Sequence, residues 1–209
     1  MLREGPRCHF GVATIAFVGL IYSEATSAAE MSIVRLSPGA VLETYVDIRG
    51  PINVGDWSDF NRLLRTNPDI AGVALSSGGG SLDDGMAIAK QIYDRKFDTV
   101  LVDVCHSVCA IMFLAGDDKY APVSFRLTVH TAYKQIGDWT LKDHIANGTV
   151  TWFLGHMGYP LPLARLWVAT GQEAAAPVTW AHNYRWNLGF RQLQFLPRHP
   201  RVIDVTTPP

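Results

Sequence analysis

The stretch VDVCHSVCAIMFLAG, residues 102–116, joins an expected strand to an expected helix through a turn that carries a single serine. A run of β-branched residues stops at Cys105, and the apolar segment after Ser107 has helical propensity. Ser107 therefore has two interpretations. It is either a helix N-cap, whose hydroxyl accepts a hydrogen bond from a free backbone N–H, or a nucleophile presented on a strand-to-helix turn.

The composition is typical of one globular domain. The chain has 209 residues, of which 48% are hydrophobic and 18% are charged, so it can bury a substantial core and is not disordered. The formal net charge of −1 at pH 7 provides no basic field. This charge argues against nucleic acid as a partner.

Residues 1–29 have the three-part layout of a secretory signal peptide. Two arginines precede the apolar run FGVATIAFVGLIY, residues 10–22, and Ser27-x-Ala29 resembles a signal-peptidase site. An apolar run of this length is too short to span a bilayer comfortably. We therefore expect cleavage, a mature chain that begins near Glu30, and a periplasmic or secreted location without a stable membrane span. The alternatives are an uncleaved signal that anchors the protein to the inner membrane, or a buried strand.

The rest of the chain alternates between strand and helix patterns. Short β-branched runs predict strands over residues 40–52, 70–77, 99–104 and 126–130. Apolar residues at helical spacing predict helices over residues 55–69, 83–96, 107–115, 141–160, 163–171 and 179–190. This alternation predicts a single α/β domain over residues 30–190 with crossover connections. A proline-rich C-terminal tail, residues 191–209, follows it.

Two further motifs lie at predicted strand ends and bear on Ser107. The glycine cluster SSGGGS, residues 76–81, permits positive φ angles and close backbone approach, so this loop can aim N–H groups at an anion. His130 ends the strand predicted over residues 126–130. A serine hydrolase needs a nucleophile, a base and donors for the oxyanion. Here all three would come from successive strand ends on one side of one sheet.

The motifs LSSGGGSLDDGMAIAKQI, CHSVCAIMFLAG and RLTVH resemble, in this order, those of the ClpP/crotonase superfamily, and most closely those of exported bacterial ClpP-like proteins. The resemblance runs from about Val46 to about Gly189. It implies the ββα superhelical fold of that superfamily. It also implies a serine peptidase that acts on peptides or proteins through an acyl-enzyme, needs no cofactor or metal, and frequently forms homo-oligomers.

The resemblance also implies roles for individual residues. Ser107 would be the nucleophile and His130 the base. The N–H of Val108, together with the glycine loop at Gly79 and Gly80, would form the oxyanion hole.

The third member of the triad departs from the family pattern. Relatives carry an acid shortly before the last helix, where this chain reads QEAAAPVTW, residues 172–180. Glu173 is the nearest carboxylate and is the candidate for the third residue. Asp138, Asp143 or Asn183 could replace it only if the fold delivers them. Loss of the orienting residue costs orders of magnitude in rate.

The sequence leaves other functions open. A Ser-Lys dyad would use Lys134 or Lys142 as the base. A crotonase acting on coenzyme A thioesters would use the same glycines for an enolate, but export argues against that cytoplasmic cofactor. A non-catalytic scaffold or binding protein of the cell envelope would retain the fold with an incomplete triad.

Two cysteines flank Ser107. Cys8 leaves with the signal peptide, so Cys105 and Cys109 are the two that remain, and an exported protein can oxidise them. Residues four apart across a helix start can bring their Cα atoms within the range of a disulfide. We therefore predict a disulfide that clamps the turn at Ser107, with two buried, reduced cysteines as the alternative. The spacing does not fit a zinc site or a Cys-x-x-Cys redox motif.

Overall fold

A computed structural model describes residues 29–39, 41–171 and 174–193. Within these ranges the chain forms a mixed α/β fold. The strands and helices, in chain order, are β1 (Glu30–Leu36), β2 (Glu43–Arg49), α1 (Asp56–Thr66), β3 (Ile70–Ser77), α2 (Leu82–Arg95), β4 (Asp98–His106), α3 (Val108–Leu114), β5 (Lys119–Ala121), β6 (Arg126–Val129), β7 (Tyr133–Ile136), β8 (Trp139–Lys142), α4 (His144–His156), α5 (Leu161–Ala169), β9 (Ala176–Val178), α6 (Trp180–Trp186) and β10 (Phe190–Gln192).

Eight strands form one sheet in the order β1-β2-β3-β4-β5-β10, with β6 beside β4 and β9 beside β6. Strands β2 to β5 and β10 pair in parallel, and so do β4 and β6, whereas β1 and β9 pair antiparallel to their neighbours. Parallel neighbours need crossover connections, and helices α1, α2 and α3 supply them between β2 and β5. The predicted α/β architecture is therefore confirmed.

Strand β4 divides the sheet into two branches. Its first half pairs with β5 through Thr99 and Val100, and its last three residues pair with β6. On its other side, Cys105 lies opposite Ser77 at the end of β3. The carboxyl ends of β3, β4 and β6 therefore meet at one edge of the sheet. The glycine loop follows β3, Ser107 follows β4 and His130 follows β6.

The larger hydrophobic core includes residues from helices α1 to α5 and from one face of the sheet. All of the residues of α3 are buried in it. A fully buried aliphatic or aromatic side chain contributes roughly 1.5–3 kcal/mol, so the helix after Ser107 is fixed in position by its whole surface. A smaller cluster contains strand and connecting residues, among them Tyr45, Val100 and Leu193.

The predicted elements before His130 agree with the structure, and two later helices differ from it. The strand predicted over residues 70–77 is β3, and the helices predicted over residues 55–69, 83–96 and 107–115 correspond to α1, α2 and α3. The helix predicted over residues 141–160 starts too early, because its first two residues belong to β8. Asp143 sets the start of α4 by accepting hydrogen bonds from the N–H groups of the second and third helical residues. The helix predicted over residues 179–190 is α6, which ends at Trp186 because Asn187 caps it in a left-handed conformation, and Phe190 belongs to β10.

The signal peptide and most of the C-terminal tail remain predictions from the sequence. Residues 1–28, which make up almost all of the predicted signal peptide, and residues 194–209 of the predicted tail lie outside the described residues. Strand β10 places Arg191 and Gln192 in the main sheet. None of the helices in the described ranges is long and apolar enough to cross a membrane.

Candidate active site

Ser107 lies between β4 and α3 in an uncommon backbone conformation, with φ 57° and ψ −127°. Its N–H donates to the carbonyl of Thr128 in β6, at 3.0 Å. Lys96 and Asn187 also have positive φ, but they are left-handed C-caps, a routine position for such angles. The Ser107 hydroxyl makes no capping hydrogen bond to α3. The N-cap interpretation therefore does not explain this serine.

Two glycines of the loop after β3 pass very close to other backbone atoms. A Cβ on Gly79, where φ is +90°, would lie 2.7 Å from the Cβ of Ser107 and 2.8 Å from the carbonyl oxygen of His106. A Cβ on Gly80, where φ is +139°, would lie 2.0 Å from the carbonyl oxygen of Ile52. Both positions therefore require glycine, and the loop packs directly against the turn that carries Ser107.

The N–H groups predicted for the oxyanion hole have different partners. The N–H of Gly79 donates to the hydroxyl of Ser77, at 3.0 Å. The N–H of Gly80 makes no hydrogen bond to the described part of the chain. The N–H of Val108 opens α3 and so has no acceptor inside the helix. Two of the three predicted donors thus have no acceptor in the described part of the chain; Gly80 is exposed, whereas Val108 is fully buried.

His130 follows β6 and is half-buried. Its Nδ1 lies 2.8 Å from the carbonyl oxygen of Thr131. A carbonyl can only accept, so Nδ1 carries the hydrogen and Nε2 is left as the acceptor. The ring of Trp167 lies nearly parallel to the imidazole, at 10°, with 6.3 Å between the centroids. The side chain is therefore in the tautomer that a general base needs at Nε2.

Ser107 and His130 line the same cavity, which has a volume of about 250 Å³. Gly80 contributes to its wall, so one of the available N–H groups belongs to a lining residue. The other lining residues come from the starts of α2 and α4, from the segment after His130 and from α5: Leu82, Asp83, Ala132, Tyr133, Asp143, Ala146 and Trp167. The nucleophile, the base and one oxyanion donor predicted from the sequence thus share one cavity.

The carboxylate that would orient His130 is not found among the described residues. Asp143 lines the cavity, but its Oδ1 caps α4 by accepting from the N–H groups of Ile145 and Ala146. These hydrogen bonds lower the pKa of Asp143. Asp138 is exposed at the β7–β8 turn. Neither aspartate bonds to His130.

Of the other two candidates for the orienting group, Asn183 is described and does not bond to His130. Asn183 is buried in α6, where its amide accepts from the N–H of Phe190, at 2.8 Å, and donates to the carbonyl of the same residue. Glu173 lies outside the described residues, so its role stays a prediction.

The two lysines of the alternative dyad lie elsewhere. Lys134 is exposed on β7. The Nζ of Lys142 donates to the carbonyl of Val168, at 2.7 Å. Neither lysine lines the cavity that holds Ser107, and this placement favours His130 as the base.

Cys105 and Cys109 form a disulfide across the turn, as predicted, with their Cα atoms 5.1 Å apart. Both are fully buried. The bond joins Cys105, near the end of β4, to Cys109, in the first turn of α3. It therefore links the two elements on either side of Ser107. No group of three or more His, Cys, Asp or Glu side chains in the described ranges is arranged to hold a metal ion.

His106 is the last residue of β4 and precedes Ser107, but it does not line the cavity that holds Ser107 and His130. Its Nδ1 forms a hydrogen bond with the hydroxyl of Thr128 on the neighbouring strand. Burial, with smaller contributions from the positive charges of Arg126 and His130, lowers the pKa of His106.

No protein-family model and no curated protein matches this sequence. Solved structures do match. One of them is a serine-to-alanine mutant of the membrane-bound stomatin-specific protease 1510-N, with 11% sequence identity and a TM-score of 0.52. The match covers 68% of this chain and 74% of that chain. At this identity the likeness shows the fold alone, and the fold of this chain is ClpP-like.

Proposed function

We propose that this protein is an exported serine peptidase of the ClpP-like branch of the ClpP/crotonase superfamily, with its ββα superhelical fold. Ser107 is the nucleophile and His130 the general base. The observation that carries the proposal is the backbone of Ser107, which has positive φ and a hydroxyl that caps nothing, in the cavity that also holds His130. Strained backbone conformations of this kind concentrate at functional sites.

The chemistry follows from these positions. The Oγ of Ser107 attacks the carbonyl carbon of a peptide bond while its proton passes to Nε2 of His130. The tetrahedral intermediate collapses as the C–N bond breaks, and His130 returns the proton to the leaving amine. A water molecule then attacks the acyl-enzyme, with His130 again taking the proton. The bond between the acyl carbon and Oγ of Ser107 then breaks, His130 returns the proton to Oγ, and the carboxylic acid product leaves.

The oxyanion of the intermediate would be bound by the N–H groups of Val108 and Gly80. Both are free of partners in the described chain. Donors fixed in position before the reaction contribute much of the rate enhancement of acyl transfer. The role of Gly79 is to allow the loop to approach Ser107, since its N–H is held by Ser77.

Export and self-association belong to the same proposal. The signal layout of residues 1–29 leads us to expect a mature N-terminus near Glu30 and recovery from the periplasm or the medium. N-terminal sequencing of the purified protein tests this, and an intact Met1 on cytoplasmic protein would contradict it. Light scattering of the mature chain tests whether it forms the homo-oligomer that the resemblance implies.

A non-catalytic scaffold or binding protein of the cell envelope is the second candidate function. The observation that favours it is the lack of any described carboxylate bonded to His130. A scaffold needs no activated serine, so the two functions differ in the reactivity of Ser107.

Labelling with a fluorophosphonate probe separates the two functions, because only an activated serine reacts with it. We expect the wild-type protein to be labelled at Ser107, and Ser107→Ala and His130→Ala each to lose nearly all labelling and turnover. The two losses should not add in the double variant, since the residues act as a unit.

Ser124→Ala is the matched control, because Ser124 is exposed and lies outside the cavity. It should be labelled like the wild type. Equal labelling of the wild type and of Ser107→Ala would exclude the peptidase and leave the scaffold.

A further inference from the structure

We propose that the peptide group between Thr131 and Ala132 takes the place of a triad carboxylate, and that Asn147 is the positioning residue that holds this group against His130. The inference rests on the proposed function and concerns the same site. It explains how His130 can be oriented although no described carboxylate contacts it.

The carbonyl oxygen of this peptide group accepts a hydrogen bond from the imidazole of His130. The Thr131 oxygen lies 2.8 Å from Nδ1 of His130. Nδ1 of a neutral imidazole has one hydrogen at most, so this carbonyl occupies the position at which a triad carboxylate would bind. The contact fixes both the ring orientation and the tautomer, which are the two tasks of the third triad member.

The N–H side of the same peptide group meets Asn147. The Ala132 N–H donates to Oδ1 of Asn147, at 2.9 Å. The indole N–H of Trp167 donates to the same oxygen, also at 2.9 Å. Both partners can only donate, so Oδ1 must be the atom that faces them. Asn147 is 3% exposed, and its position is therefore set by these bonds rather than by water.

Further hydrogen bonds hold Asn147 and Thr131 in position. Nδ2 of Asn147 donates to the carbonyls of Ala132 and Asp143, at 2.9 and 2.6 Å. The hydroxyl of Thr131 donates to the carbonyl of Val168, at 2.7 Å. The Trp167 ring, which bonds to Asn147, also lies parallel to the imidazole of His130. One buried amide thus links the base, the peptide group and the end of α5.

The bonds form a chain that polarises the carbonyl. A peptide group whose N–H donates to an acceptor carries more negative charge on its oxygen, and hydrogen bonds in such chains strengthen one another in a low dielectric. The Thr131 carbonyl is therefore a better acceptor for Nδ1–H than a solvated carbonyl. It remains neutral, so it stabilises the imidazolium less than a carboxylate does.

Two substitutions of Asn147 separate positioning from stability. Asn147→Asp keeps an acceptor for the Ala132 N–H but loses both Nδ2 donors, and its charge faces two carbonyl oxygens. Asn147→Leu has a similar size and removes the acceptor. We expect the rate of fluorophosphonate labelling to fall about tenfold or more in Asn147→Leu, and to fall much less in Asn147→Asp even if that variant melts at the lower temperature. A purely structural role would make the labelling rate follow the melting temperature in both variants.

The tautomer of His130 provides a readout that does not depend on activity. In protein labelled with ¹⁵N-histidine, at a pH at which the imidazoles are neutral, we expect His130 to have a protonated Nδ1 in the wild type and in Asn147→Asp. In Asn147→Leu we expect a mixture of tautomers. The His130→Gln variant assigns the resonances.

Three results would overturn the inference. These are an Nε2-protonated His130 in the wild type, labelling rates that follow the melting temperatures of the two Asn147 variants, or a tautomer shift in Glu173→Gln like that in Asn147→Leu. Failure of the proposed function gives a different pattern. The wild type is then not labelled at Ser107, whereas the tautomer of His130 still depends on Asn147.

Discussion

The turn at Ser107 and the β7–β8 hairpin flank the β6 strand that leads to His130, and they are built in opposite ways. We call residues 105–109 the elbow and residues 133–142 the hairpin. In the elbow, Cys105, Val108 and Cys109 are fully buried. In the hairpin, Trp139 is 74% exposed, and β7 and β8 pair with each other and with no other described strand. The elbow is fixed by its buried surroundings, whereas the hairpin is exposed over residues 134–141 and bonds to α5 through Lys142 and the carbonyl of Val168.

The different burial of the elbow and the hairpin predicts which substitutions the site tolerates. Proteins are close-packed inside, so a group placed by a buried elbow cannot move without moving its neighbours. Catalytic geometry depends on shifts as small as about 1 Å. We therefore expect substitutions in and against the elbow to affect labelling strongly, and substitutions in the exposed part of the hairpin, residues 134–141, to affect it little.

Gly79→Ala should produce the largest effect. Its Cβ would collide with the Cβ of Ser107 and with the carbonyl oxygen of His106, so either the loop or the elbow must move. We expect the labelling rate to fall by about 100-fold or more, measured as a second-order rate with the fluorophosphonate probe.

Gly50→Ala is the matched control for this substitution. Gly50 has φ +86°, close to the +90° of Gly79, but a Cβ there meets nothing within 4 Å. Gly50→Ala should lower the free energy of unfolding by about 1–2 kcal/mol, because alanine is strained at positive φ. Its labelling rate should stay close to that of the wild type. Equal losses of labelling in the two variants would mean that the positive φ, and not the contact with Ser107, is what matters.

Reduction of the Cys105–Cys109 disulfide should have the next largest effect. The bond closes a loop of five residues, which contributes about 2 kcal/mol in the chain-entropy model. We expect its larger effect to come from holding the Val108 N–H in position relative to Ser107. We expect reductant to lower the labelling rate by about tenfold or more and the melting temperature by only a few degrees.

The double variant Cys105→Ala/Cys109→Ala provides the control, because its labelling should not respond to reductant. Thiol titration of freshly isolated, denatured protein checks the starting state. Two titratable thiols from these positions would show that the disulfide is not formed in the isolated protein.

The same comparison explains what the sequence could predict. The elbow was predictable because its parts are local signals: a β-branched run, a turn with Ser107 between two cysteines, and an apolar helix. The glycine cluster and His130 lie at ends of parallel strands, and such ends meet at one edge of a sheet. The grouping of Ser107, Gly80 and His130 in one cavity therefore followed from strand order.

The hairpin was not predictable in the same way. None of the residues of β7 is buried, so β7 has no alternation of buried and exposed positions to detect. The strands β5, β9 and β10 have three residues each, which is too short for a periodicity. Strand β1 did carry a signal, since buried Val34 and Leu36 flank exposed Arg35. The role of Asn147 depends on contacts between α4, α5 and the segment after His130, which no local pattern encodes.

A smaller effect concerns pH and the edge of the elbow. The pKa of His106 lies below 6.5 in the folded protein, chiefly because of burial and also because of Arg126 and His130. The unfolded chain therefore binds a proton at this residue before the folded chain does. The free energy of unfolding should fall as the pH falls below about 6.5, by at most the slope of one proton.

His106→Gln should remove the contribution of this histidine to the pH dependence of the free energy of unfolding. Urea unfolding at several pH values between about 5 and 8 measures it. At pH 8 His106 is neutral in both states, so that measurement isolates the loss of the hydrogen bond to Thr128. A pH slope in His106→Gln equal to that of the wild type would mean that this histidine does not contribute.

Trp139→Ser should have the smallest effect. The side chain is largely exposed, and exposed positions without special contacts change the free energy of unfolding by about 0.5 kcal/mol or less. Trp167→Phe is the matched control, since Trp167 is 1% exposed and its indole N–H bonds to Asn147. Trp167→Phe should lower the free energy of unfolding by about 1–3 kcal/mol, and it should also lower the labelling rate. If Trp139→Ser instead costs more than about 1 kcal/mol, and the cost depends on protein concentration, then the hairpin packs against a second copy of the chain. The contrast between elbow and hairpin would then hold for the monomer alone.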